Sequence, residues 1–187
     1  MLAERDTGPE FGFRGPEQRL ADAWTALMLG QQAIGEKRFR EAAARAADTG
    51  HRTAEAWLLH DLLRTTGEDT SARLGELAAA SDSSLLAARA RHAAAARAGD
   101  ARELAAASED FEELGAMLLA AEAASGAANV FSRAGDRRAA AAALRRSSTL
   151  AATCEGAATP GLLRAHAYTK LGVSSRAGLA EALGHSS

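Results

Sequence analysis

Two histidines, His60 and His92, stand 32 residues apart in a chain of 187. Such imidazoles titrate near neutrality and can respond to pH or contact a ligand. Neither has a cysteine or a third histidine at metal-ligand spacing, and on a helix Asp61 points away from its neighbour His60. No metal site and no cofactor are therefore expected. Trp24 and Trp57 are large anchors, suited either to a partner or to the core of a small-residue protein. Serine, histidine and aspartate are all present, but there is no Gly-x-Ser-x-Gly elbow. Neither Gly-x-x-x-x-Gly-Lys-Ser/Thr nor Gly-x-Gly-x-x-Gly occurs, so no phosphate loop is encoded. Cys154 precedes Glu155 near a helix end, where the dipole disfavours a thiolate. No catalytic residue is assigned and no enzymatic activity is expected. Arg133, Arg137, Arg138, Arg145 and Arg146 form a basic run, and Glu109, Asp110, Glu112 and Glu113 an acidic one. Their chemistry is either phosphate binding or solvated faces of opposite sign, with pairing between neighbouring hairpins.

The elements that must position these residues follow a period. Gly35-Glu36, Gly67-Glu68, Gly99-Asp100 and Gly135-Asp136 repeat the same pair at spacings of 32, 32 and 36. Glycine closes one helix, and the acid sits at the start of the next, where the dipole favours negative charge. Second breaks fall at Thr49-Gly50, Ser81-Asp82-Ser83, Gly115 and Gly156. The pattern predicts helices over 17–34 and 36–48, 53–66 and 70–80, 84–98 and 100–114, and 116–134 and 136–154. No stretch alternates with period two, so no sheet is expected. The fold class is all-α, an array of about four antiparallel helical hairpins, an α-solenoid, with a short C-terminal helical remnant. The domains read as a breaker-rich flexible leader over 1–16, the array over 17–156 and a tail over 157–187. A helix should begin near Glu17, with Pro16 in its first turn.

Composition limits the partners. The formal net charge is −2, so no global basic field attracts nucleic acid. A single cysteine excludes an intramolecular disulfide and fits a reducing cytosol. The N-terminus has no apolar signal core, and the apolar run from Met117 to Ala121 ends at Glu122, too short to span a bilayer. A cytoplasmic protein without membrane association is expected. Alanine supplies most of the apolar content and aromatics only 4%. Each alanine buries little surface, which implies close helix packing and modest stability.

Ala-Gly-Asp at 98–100 and 134–136, each followed by an alanine-rich helix, resembles the turn of a tetratricopeptide repeat. Counting back seven from each turn glycine gives Met28, His60, His92 and Ala128. His60 and His92 then hold equivalent places on successive first helices. In arrays of that type these helices line a concave groove, which implies groove contacts from Trp24, Trp57, His60 and His92.

A second resemblance covers Tyr168-Thr169-Lys170-Leu171-Gly172-Val173-Ser174-Ser175-Arg176 and continues to Leu183. It is similar to the end of a LuxR-type helix-turn-helix domain, where this pattern joins the recognition helix to the final helix. The runs 111–124, 137–143 and 151–159 resemble the region just upstream of that domain in large ATP-binding LuxR-like regulators. The resemblance implies a chain covering the end of a helical-repeat region and the last part of a DNA-binding domain, without the ATPase. It makes Lys170, Thr169 and Arg176 contacts to the DNA backbone, and Leu179 and Leu183 the stripe of a dimerisation helix. A protein partner follows, either an intact LuxR-type regulator or a second copy.

Only residues 161–167 separate Pro160 from Tyr168. Seven residues make about two helical turns. A helix-turn-helix needs two helices and a turn, with the second held in the major groove. The expectation is an internal deletion and impaired or absent sequence-specific DNA binding. The alternatives are residual DNA binding by the helix-turn-helix remnant, or a stand-alone repeat scaffold.

Overall fold

The computed structural model describes residues 15–154 together with Thr159 and Leu162. Most of the leader and nearly all of the tail, including Thr169, Lys170, Arg176, Leu179 and Leu183, lie outside the described residues. Within them the protein is all-α, without a strand: α1 (Gly15–Met28), α2 (Gln32–Asp48), α3 (Arg52–Thr66), α4 (Ser71–Ala79), α5 (Ser84–Ala98), α6 (Ala101–Glu113), α7 (Met117–Arg133) and α8 (Arg137–Ala152). Within each unit, helices adjacent in sequence pack on one another. The chain divides into two compact units between Thr66 and Gly67, inside what the period marks as the second hairpin.

In the first unit, α2 packs against both α1 and α3. Ala23, Phe39, Ala42, Ala46, Leu58 and Leu62 form its core, flanked by Leu20, Trp24, Leu27 and Leu59. Here one expected turn is corrected. Gly30, not Gly35, closes α1, with a left-handed φ of 74°. The Gln31 N–H returns to the Ala26 carbonyl at 2.9 Å, closing the helix end. Gly35 lies inside α2 at a close approach to α1. A Cβ there would stand 2.6 Å from Leu27 Cδ2 and 3.1 Å from the Ala23 carbonyl oxygen. The Gly-acid pair at 35–36 thus serves packing rather than a turn, and α1 also begins two residues before the expected Glu17.

In the second unit α4 packs on α5, and α5 through α8 each pack on the next. Helix α7 is the central element. Ala120, Ala121, Ala123, Ala124, Ala127 and Ala128 are all buried, so α6 and α8 cover most of its circumference. Phe111 and Leu150 join Ala120 and Ala121 in one cluster, to which buried Leu162 also belongs. Leu104, Ala95, Ala127, Ala128 and Ala143 make another. Small side chains on α7 permit this close approach on two sides. Two buried hydroxyls tie the layers together: Ser108 Oγ donates to the Ala120 carbonyl and Ser147 Oγ to the Ala121 carbonyl, both at 2.8 Å.

The acids at two of the glycine turns act as helix caps. Asp100 accepts from the Arg102 and Glu103 N–H groups at 2.9 and 3.1 Å. Asp136 accepts from the Ala139 N–H at 2.9 Å. Beyond Gly67, Asp69 Oδ1 accepts from the Ser71 N–H at 3.0 Å and from its Oγ at 2.6 Å, at the first residue of α4. Ser83 caps α5 through the Leu86 N–H at 3.3 Å. No helix among the described residues is long and apolar enough to cross a membrane.

Candidate functional site

Three of the four residues expected in a groove belong to the first unit. Trp24 on α1 is half-buried, and its Nε1 donates to Asp61 Oδ2 on α3 at 2.9 Å. Arg64 bridges to Asp61 Oδ1. Its guanidinium carbon lies 5.7 Å from the centre of the Trp24 ring, within cation–π range. The Phe39 ring meets Trp24 edge-on with centroids 5.8 Å apart. The Asp61 and Arg64 side chains are only 14% and 8% exposed, so the pair is largely desolvated and held by the indole donor. This arrangement fixes α1 on α3. Trp57, also half-buried, stands apart from that core cluster.

His60 and His92 correct the expectation of open groove histidines. They are 1% and 7% exposed. The His92 ring packs edge-on against Phe111, with centroids 5.9 Å apart. The register explains the burial. Ala128, seven residues before Gly135, is 7% exposed, and Ala23, seven before the true turn at Gly30, is fully buried. That position is buried on each of these helices. The two histidines lie in different units.

A small cleft of about 210 Å3 in the first unit lies between the start of α1 and the end of α2. Arg19, Arg45, Thr49 and His51 supply its polar lining. Nothing in the residue spacing marks it, because 26 residues separate Arg19 from Arg45 and only the α1–α2 packing joins them.

In the second unit, charges of opposite sign pair across helices. Arg91 on α5 donates to Glu103 and to Asp110 on α6, both at 2.9 Å. These two carboxylates hold its guanidinium more firmly protonated than usual. Arg146 on α8 reaches Glu112 on α6 and donates to Ser108 Oγ at 3.2 Å. Arg133, Arg137, Arg138 and Arg145 are exposed. They make no hydrogen bond or ion pair with any other described residue.

Asp69 is held below the usual carboxylate range, chiefly by the Ser71 hydroxyl, then by the Ser71 N–H and, more weakly, by Arg97. The Cys154 thiol lies 3.6 Å from the Leu150 carbonyl at the end of α8. Among the described residues no group of three or more His, Cys, Asp or Glu is placed to hold a metal ion. Comparison with protein-family models, with curated proteins and with solved structures found no match to this chain.

Proposed function

We propose that this chain is a relative of the large LuxR-type transcriptional regulators, a helical-repeat module that acts through protein contacts in the cytoplasm and lacks sequence-specific DNA recognition. The observation that carries this reading is the shortage of chain between Pro160 and Tyr168. A near-complete match to the end of a helix-turn-helix follows a segment too short to contain its scaffold helices. The base-reading start of the recognition helix has no residues to form it. Lys170, Thr169 and Arg176 then contribute only phosphate contacts, which position a protein without reading sequence. The stretch carrying Leu179 and Leu183 supplies the pairing with an intact regulator of the same type or with a second copy. The all-α helical hairpins are compatible with a role in protein contacts.

The test is capture of an intact LuxR-type regulator by the full chain and by its Leu179→Asp/Leu183→Asp variant. Capture by the parent and not by the variant supports tail-mediated pairing. Equal capture by both refutes it. Titration against a cognate duplex and a scrambled duplex provides the second arm. Discrimination between them greater than about tenfold would overturn the loss of sequence reading, since specific sites typically exceed non-specific ones by at least about a thousandfold.

A further inference from the structure

The charges of the second unit are sorted in space. Between Ala123 and Cys154 the chain carries five arginines and a single acid, Asp136, within a protein of net charge −2. Asp136 is committed to capping α8 through the Ala139 N–H. Arg146 turns inward to Glu112 and Ser108. Arg133, Arg137, Arg138 and Arg145 remain exposed and without a partner among the described residues. Arg133 ends α7, and Arg137 and Arg138 open α8 across the turn. Arg138 and Arg145, seven residues apart, return to the same face of α8 within about 20° and about 10.5 Å along its axis. Exposed Ala141 and Ala142 lie between them, so no long side chain covers the ridge. The positive end of the α8 dipole adds to the field at the turn.

We propose that this α7–α8 edge is a docking surface for the phosphate backbone of nucleic acid, independent of base sequence. The guanidinium fork matches phosphate oxygens in pairs. A duplex offers about one charge per 1.7 Å of axis, on the order of six phosphates over the span from Arg138 to Arg145. A lipid surface fits less well. The large exposed apolar side chains among the described residues are Met28, Leu29, Ile34 and Leu114, none of them on α7 or α8. Phe131, the aromatic residue on α7, is half-buried against the core and offers no open face for a base. Contacts of this kind hold a duplex without reading it. The surface is composed of α7 and α8 residues alone, and it stands whether or not the tail pairs with a regulator.

The experiment is fluorescence anisotropy of a labelled duplex of arbitrary sequence, titrated with the full chain from about 20 to 200 mM salt. Four backbone contacts predict a slope of log K against log salt of about −3.6. The variant Arg137→Gln/Arg138→Gln/Arg145→Gln should reduce the steepness by about 2.7 and weaken low-salt binding at least about tenfold. Circular dichroism should show its helices unchanged. A control with the same charge change, Lys37→Gln/Arg40→Gln/Arg73→Gln, should bind like the parent. The proposal is overturned if the parent does not bind, if both triple variants lose affinity equally, or if the edge variant binds normally. It is also overturned if Lys170→Gln/Arg176→Gln abolishes binding, because the tail would then be the contact. Preference for phosphatidylserine vesicles or polyglutamate over the duplex would replace nucleic acid with another partner.

Discussion

The same substitution should act in opposite directions at Gly35 and Gly75. Both glycines lie inside helices, α2 and α4. Replacing glycine with alanine in a helix interior gains about 0.8–1.0 kcal/mol, mainly by restricting the unfolded chain. At Gly75 a new Cβ meets nothing within 4 Å, so Gly75→Ala should realise that gain in the second unit. At Gly35 the Cβ would lie 2.6 Å from Leu27 Cδ2, 2.7 Å from Leu27 Cγ and 3.1 Å from the Ala23 carbonyl. Leu27 is packed on the core, and the carbonyl belongs to the α1 backbone, so neither yields freely. Overpacking of this kind costs about 1–3 kcal/mol. After the helix gain, Gly35→Ala should destabilise the first unit by about 0–2 kcal/mol. Urea unfolding distinguishes the units, because both tryptophans, Trp24 and Trp57, belong to the first and report on it by fluorescence. Circular dichroism follows the helices of both. In the Leu27→Ala background, Gly35→Ala should become neutral or stabilising, giving a coupling of about 1 kcal/mol or more. Equal stabilisation by Gly35→Ala and Gly75→Ala would refute the close contact between α1 and α2.

Asp61→Ala should cost about 1–3 kcal/mol, because it leaves the Trp24 indole N–H and the largely buried Arg64 without their shared acceptor; a tryptophan emission spectrum and urea midpoint unchanged from the parent would contradict the assigned linkage. Asp100→Ala removes the acceptor for two N–H groups at the start of α6 and should cost about 0.5–2 kcal/mol, whereas Asp100→Asn should recover most of it in the same unfolding assay. Asp69 has a lowered folded-state pKa, so its contribution to stability is present above its unfolded value and is lost as pH falls through the folded one. Asp69→Asn should therefore be less stable than the parent near neutrality and converge with it in acid; a constant difference across an acid titration would rule out that linkage.

Much of the architecture is written in local chemistry. Glycine followed by an acid marks the turns at Gly67, Gly99 and Gly135, and alanine-rich runs between breaks specify helices because a helix satisfies its own backbone. The caps at Asp100 and Asp136 were readable for the same reason, since a cap bonds to residues only two or three positions away. The first turn misled because Gly30 and Gly35 are equally good helix stops in isolation. Which one becomes the stop depends on how near α1 comes to α2, and that approach requires Gly35 to lack a side chain.

The side of the helix on which a residue falls was harder to read. The periodic register assigns Met28, His60, His92 and Ala128 equivalent positions, but the period cannot say whether that face opens on a groove or closes on a core, and Met28 is exposed because α1 stops at Gly30 rather than Gly35. Packing decides it, and His60, His92 and Ala128 are buried. The Trp24–Asp61–Arg64 cluster joins residues 37 or more positions apart and carries no local signature. Among like charges, the sequence supplies five arginines near α8, yet only the fold turns Arg146 toward Glu112 and leaves the other four outward. Helix content and most turns follow from interactions within a few residues of chain; burial, ion-pair choice and the division at Thr66 follow from distances that only folding sets.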